Sequence, residues 1–426
     1  YTVSLRIVNW IKYFCIDTSG DIEKSWIESL YAQCLWLEKN IEYHILANHY
    51  LKNGVALFFA GVYFDTEDSE RWFKKGLKIL YEESREQLLE DGGHYEKSPM
   101  YHSIVTEDYL DVLNLIKSNN ISVPEEKIIF LENKTKQALR FIEKIRMPDG
   151  NIPLFNDSAF GIASSPESLF HYADKIIGYQ KDALHSQKLV TTKLDSSGYY
   201  VIKNNNSMLI VDCGSVSPEY QPGHTHCDIL SYELSMNGKR VVVDTGVHDY
   251  ESGDNRKYSR MTKAHNTVSI DGKEQSEIWS TFRVARRAEV FQAALEKAND
   301  NEAFFEGGYK PFWGAREKIK QTRNIQYSIN NGWSIKDHIY GIGNHSADSY
   351  VHINPDFNLV QVDGKYLISD KSKNVAEIII DKGVKSYIEK GLYFPGFGKK
   401  LENDVLKLSL SGSLPLVITY TIRDLQ

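Results

Sequence analysis

The apolar residues of this 426-residue chain change their period once, near Leu189, and that change limits the fold more than any other feature. Before it, apolar positions recur at helical spacing through residues 5–14, 26–46, 50–64, 70–89, 103–116, 127–145 and 168–184. The connectors carry breakers: Asp91-Gly92-Gly93, Pro148-Asp149-Gly150 and the loop through Asn156-Asp157-Ser158. Long helices joined by short loops favour antiparallel hairpins, which build a bundle, a solenoid or a closed toroid. After Leu189 the period becomes two, in residues 198–203, 207–212, 230–236 and 240–244. Asn237-Gly238 and Asp271-Gly272 are two-residue hairpin signals, and Asn330-Asn331-Gly332 and Asp363-Gly364 continue the pattern. That many antiparallel-type residues imply stacked sheets. The expected class is α+β multidomain, with a helical domain over residues 1–188, an antiparallel β-sandwich over 189–426, and a linker at 187–195.

Charge excludes some partners. The net charge is −7 with Lys and Arg scattered, so neither a nucleic-acid footprint nor a polybasic membrane patch is visible, and local basic groups must meet any anionic substrate. Aromatic residues make up 12%, which suits sugar-stacking clefts but also fills large cores. The longest apolar stretch, residues 55–64, is too short to span a bilayer. Cys15, Cys34, Cys213 and Cys227 lie far apart and leave the redox compartment open. The chain starts at Tyr1 without a signal-like leader, which is compatible with an upstream piece. A periplasmic or extracellular place is expected, a cytoplasmic one is left open, and oligomeric state cannot be read.

Chemistry concentrates in Gly223-His224-Thr225-His226-Cys227-Asp228, which runs into the Asn237-Gly238 hairpin. A two-residue turn sets Met236 opposite Lys239 and Ser231 opposite Asp244, bringing His226 and Asp244 to one end of the ribbon. His265 begins the next strand and can reach that end. Two imidazoles and a carboxylate suit Zn²⁺, which takes about four N, O or S ligands. Equally, His226 and His265 read as hydrogen-bonded sheet histidines with Asp244 closing a strand. Cys227 and Asp228 compete as ligands, and alternation puts His224 and His226 on one face with Cys227 on the other.

In the helical half, Asn48 and His49 open an apolar helix, where Asn48 also reads as an N-cap. The segment from Gly93 to His102 gathers two Tyr, two His and a Glu on a loop before a helix. Tyr95 and Lys97 read as packing and solvated residues. Glu96, His102 and Arg260 are candidates for binding substrate, and Pro99 stiffens the loop expected to present Tyr101.

The strings LANHYLKNGVALFFAGVYF, EKSPMYHSIVTEDYLDVL, GHTHCDILSYELSMNGKRVVVDTG and AHNTVSIDGKEQSEIWSTFRVARRA resemble the heparinase II/III family of polysaccharide lyases, in that family's order and over nearly the whole chain. The resemblance implies an N-terminal (α/α) toroid, shorter than in full-length members, followed by a layered antiparallel β-sandwich, the two building one active site. It implies eliminative cleavage of uronate-containing glycans, a bacterial lyase activity. Residue by residue, it puts Asn48 and His49 at the uronate carboxylate or as base, Tyr101 at the catalytic tyrosine and His224 at a catalytic histidine. It puts His226, Asp244 and His265 at zinc ligands; three ligands from one ribbon and its neighbour would pin the loop that carries His224, a structural task, with a catalytic zinc as the alternative.

Elimination removes the C5 proton beside a carboxylate, and the enolate dianion that results is the main barrier. An amide and an imidazole neutralise that charge, while a phenol protonates the leaving O4. Two other readings stand beside this one: a zinc-dependent hydrolase or esterase, and a non-catalytic glycan-binding protein.

Overall fold

The computed structural model describes residues 1–17, 22–119, 121–182, 188–370 and 373–425. They form two compact units: residues 1–96, 101–141 and 167–181, and residues 97–100, 142–166 and 182–426. Seven helices lie where the helical period predicts: α1 (Thr2–Ile16), α2 (Lys24–Lys39), α3 (Ala47–Tyr63), α4 (Ser69–Gln87), α5 (Pro99–Ser118), α6 (Glu125–Ile145) and α7 (Pro166–Ile177). The expected helix over 26–46 stops at Lys39, because the Asn40 side chain turns back to the Trp36 carbonyl at 2.8 Å and competes with the helix. The helix expected to run to residue 184 ends at Ile177, where Gly178 takes a left-handed φ of 61°.

Helices α3 and α4 pack with their backbones close together. A Cβ on Gly61 would lie 2.4 Å from the Phe73 nitrogen and one on Gly76 2.5 Å from the Phe58 nitrogen, so a side chain at either position would push the hairpin apart. Leu51, Val55, Phe58, Leu77 and Leu80 fill the interior beside this contact.

The second unit opens with a five-stranded antiparallel meander of β1 (Val190–Leu194), β2 (Tyr199–Lys203), β3 (Ser207–Asp212), β4 (Tyr232–Met236) and β5 (Lys239–Val242). Strand β1 thus takes up most of the stretch expected to be a linker. Helix α8 (Asp254–Arg260), β6 (Val268–Ile270) and a short ribbon of β7 (Ile278–Trp279) and β8 (Arg283–Val284) follow. Next come β9 (Glu289–Asn299), β10 (Glu302–Lys310), β11 (Lys320–Ser328), β12 (Gly332–Tyr340), β13 (Asn344–His352), β14 (Asn358–Val362) and β15 (Lys365–Ser369). The last four are β16 (Asn374–Ile380), β17 (Lys385–Tyr393), β18 (Leu401–Ser413) and β19 (Leu416–Asp424). They form an eight-stranded sheet ordered β14-β15-β16-β19-β12-β11-β10-β9 and a four-stranded one ordered β17-β18-β13-β6. Tyr200, Leu209 and Leu234 of the first sheet, Phe305, Ile325 and Ile335 of the second, and Val351 and Leu406 of the third share one core.

The turn chemistry sets the hairpins as expected. Asn237 and Gly238 have φ of 51° and 77°, Asp363 and Gly364 49° and 79°, and Met236 lies opposite Lys239. The rest of that register is different: a bulge between Leu234 and Ser235 pairs Leu234 with Val242, so Ser231 does not stand opposite Asp244.

Candidate active site

In the β unit, the motif from Gly223 to Asp228 is a loop rather than a strand, so alternation does not govern its side chains. Its shape is fixed from outside. The His224 carbonyl accepts the Asp157 N–H at 3.1 Å, the His226 N–H donates to Asn156 Oδ1 at 3.1 Å, and Asp228 Oδ2 accepts the Asn156 N–H at 2.8 Å. Both imidazoles then meet one carboxylate: His224 Nδ1 lies 2.8 Å from Asp157 Oδ2 and His226 Nε2 2.7 Å from Oδ1. Arg256 grips both oxygens of Asp157 as well, Nη2 at 3.0 Å and Nη1 closer. Burial alone would raise the pKa of Asp157. The Arg256 guanidinium and the two imidazoles outweigh it and hold the acid well below its usual range. His226 is pushed down to about 3 by burial, so its ring is neutral, while the His224 side chain stays 12% exposed.

Behind this lies a second carboxylate–imidazole pair. Asp244 receives His265 Nδ1 at 2.9 Å and the Ser231 hydroxyl at 3.0 Å. Burial would lower the His265 pKa, but Asp244, followed by Asp228, raises it to about 9. The ring nitrogens turned away from these acids, His226 Nδ1 and His265 Nε2, are buried and lack a hydrogen-bond partner among the described residues. His226, His265 and Asp228 form a group whose ligand atoms, one from each residue, all lie within 4.8 Å of one another. Two nitrogens and an oxygen, each imidazole backed by an acid, make a possible metal-binding group. Asp228, weighed only as a competitor, takes the place expected for Asp244, which stands behind His265 on the other side of the ring. Arg323 steadies both loops. Paired with Asp337 at 2.7 Å, it donates to the Leu230 carbonyl at 2.7 Å and to the Asn266 carbonyl, neighbours of Asp228 and His265 in the chain.

Arg260 differs from its expected role. It is buried and donates to the Thr225, Ser280 and Arg283 carbonyls at 3.0–3.3 Å, so its guanidinium holds backbone rather than offering itself to a glycan.

In the helical unit, Asn48 sits in the first turn of α3, which begins at Ala47, and the helix has no side-chain cap, so the N-cap reading fails. Leu46 and Ala47, at φ of 62° and 56°, turn the chain sharply into that helix. The buried Asn48 amide donates to both oxygens of Glu96, at 2.9 and 2.8 Å, which makes Glu96 the group that orients Asn48. His49 Nδ1 is 3.0 Å from Glu42 Oε1, and its ring is 33% exposed. His102 is buried and tied at both nitrogens, to the His94 N–H at 3.1 Å and the Ala138 carbonyl at 3.0 Å, and burial lowers its pKa to about 4. It is a framework histidine, not a substrate contact. Tyr101 lies in the first turn of α5, with Pro99 as that helix's first residue, rather than on a loop; it is 8% exposed.

Asp157, the hub of the β network, was visible in the sequence only as part of a turn. Its signal would have been a carboxylate in a loop flanked by Asn156 and Ser158, all three buried.

The family model described as "Heparinase II/III N-terminus" matches residues 6–182, and "Heparinase II/III-like, C-terminal" matches 187–421. Among curated proteins, a heparin-sulfate lyase of Bacteroides thetaiotaomicron is 25% identical over 87% of this chain and 55% of its own length. One from Pedobacter heparinus is 28% identical over 53% of this chain and 36% of its own. The chain thus spans about half or less of the curated relatives it matches. Among solved structures, one of heparinase III matches with a TM-score of 0.80 at 18% identity, over 99% of this chain and 68% of that one. A heparan sulfate lyase mutant from Pedobacter heparinus gives 0.75 at 18%, over 99% and 67%. The fold is thereby that of a helical toroid followed by an antiparallel β-sandwich.

Proposed function

We propose that this chain, which belongs to the heparinase II/III family, cleaves a uronate-containing glycosaminoglycan by β-elimination. The observation that carries the reading is His224: an imidazole still reaching solvent, aligned by a buried carboxylate that Arg256 keeps ionised. An acid held this way fixes the ring's orientation, as a base for C5 requires. The names of the curated relatives favour elimination over hydrolysis or binding alone.

In this reading Asn48, held on Glu96, donates to the uronate carboxylate where charge develops. Tyr101 protonates the departing O4 and serves as base for the C5 epimer whose proton lies on its side. An ordinary phenol has a pKa of about 10, so that second task needs a cationic neighbour. His224 removes the proton of the other epimer.

The metal is part of the proposal. His226 Nδ1, His265 Nε2 and Asp228 would hold Zn²⁺, with Asp157 and Asp244 orienting the two rings. When bound, the ion would cross-link the motif loop to the start of β6, a structural task.

Incubation with heparan sulfate, alginate and hyaluronan tests the function. Elimination leaves an unsaturated uronate that absorbs in the near ultraviolet; new reducing ends without that absorbance would replace lyase by hydrolase.

A further inference from the structure

Strands β9 to β12 form one end of the eight-stranded sheet, and their outward positions carry an unusual set of side chains. Two adjoining depressions lie there, of about 920 and 480 Å³, meeting at Glu306. Their floor is low because Gly308 stands on the outer face: a Cβ there would come within 2.6 Å of the Phe291 ring, which lies across the strand instead. Two ammonium groups stand over that ring, Lys310 at 6.0 Å and Lys320 at 5.6 Å from its centre. Phe304 and Tyr340, 38% and 43% exposed, line the same surface, so aromatic area is offered to solvent rather than packed away.

The charges point to the ligand. Arg287, Lys310, Lys318, Lys320 and Lys336 line the two depressions against Glu289, Glu296 and Glu306, a local excess of two positive charges in a chain of net −7. Lys310 pairs with Glu289 at 3.2 Å, whereas Lys318, Lys320 and Lys336 have no ion-pair partner among the described residues. Ammonium groups left for an outside anion, beside aromatic faces on which the apolar side of a sugar ring can stack, fit one kind of polymer. We propose that this groove is a second, non-catalytic binding site for an anionic polysaccharide. Nucleic acid shares the demand for cations and rings, and its retention is an outcome of the test. Calling the polymer a substrate rests on the lyase reading; the groove itself does not.

The test uses the whole chain and two kinds of variant, none in the catalytic groups. Lys310→Ala with Lys320→Ala removes the two cations over Phe291, and Glu306→Lys adds one at the junction. The double variant should leave immobilised heparin at lower salt and bind polymeric heparan sulfate at least about 5-fold more weakly, the scale of two exposed ion pairs. Glu306→Lys should be retained longer, a gain that misfolding cannot mimic. Turnover of a short heparan tetrasaccharide should be unchanged in both. Unaltered elution of both variants would overturn the groove, as would tighter retention of the parent on single-stranded DNA than on heparin at equal salt. A parent that binds heparin through these residues yet cleaves no glycan would sink the lyase reading and keep the groove.

Discussion

In the helical unit the buried Glu96 carboxylate receives the neutral Asn48 amide and has His94 beside it at 3.6 Å, whereas in the β unit Asp157 is gripped by a guanidinium, Arg256, and serves His224 and His226 as well. An acid whose hydrogen-bond donor is an amide can be lost with local damage. An acid gripped by a buried guanidinium cannot, because the cation it leaves behind is buried. Helices satisfy most of their own backbone groups, so few polar side chains are needed to hold backbone in the helical unit, His102 and Gln87 among them. Loops between strands bring unsatisfied backbone groups, and Asn156, Arg260 and Arg323 hold these in place by donating to them or accepting from them.

The largest expected effect tests the network. Asp157→Ala strands a buried Arg256 and frees both imidazoles, and should cost about 3–5 kcal/mol of stability, the range for removing one partner of a buried ion pair. Urea unfolding measures it. Glu96→Ala, which strands a neutral amide, should cost about 1–3 kcal/mol. Equal losses would erase the contrast between the units.

Next is Tyr101→Phe, which deletes one hydroxyl from the first turn of α5 and should lower kcat at least about 10²-fold with folding kept, the scale of one general acid or base. Near-normal turnover on a glycan that the parent cleaves would make Tyr101 a packing residue.

A third experiment separates ligand from supporting acid. Asp228→Asn should abolish stoichiometric zinc in elemental analysis, because it removes one of three protein ligands. Asp244→Asn should only weaken zinc, about 10- to 100-fold, as loss of an orienting partner does. The reverse order would restore Asp244 as the ligand. Parent protein purified without chelator and free of metal would remove zinc from the proposal.

What the sequence made legible divides along the same line. Helices and turns depend on neighbours a few residues apart, so the seven helical segments and the Asn237-Gly238 and Asp363-Gly364 turns could be read locally. The proposed exchange of Asp244 for Asp228 as a ligand could not, because it depends on which way the His265 ring faces, with Nδ1 turned to Asp244. Asp157 was hidden for a similar reason: it lies 67 residues from His224 in sequence and becomes its partner only in the folded unit. The burial of His102 and Arg260 was equally out of reach, since a charged residue in a dense motif reads as exposed chemistry until its neighbours are placed.

The smallest expected effect concerns the two histidines carried over as bases. His49 rests on Glu42 through a single contact, with a third of its side chain exposed, while His224 rests on an acid that three other atoms hold in place. The part-buried His49–Glu42 pair, with the Tyr1 ring 4.7 Å from the imidazole, contributes on the order of 1 kcal/mol. A base must be held within hydrogen-bond reach of the proton it takes. His49→Ala should therefore lower stability by about 1 kcal/mol and kcat by less than about 10-fold, whereas His224→Ala should lose about 10²-fold or more on at least one C5 epimer. Rates on substrates rich in glucuronate and in iduronate, measured for both variants, decide between them. If His49→Ala proves the more damaging on either epimer, the helical unit supplies the base for it, and His224 keeps only an orienting task.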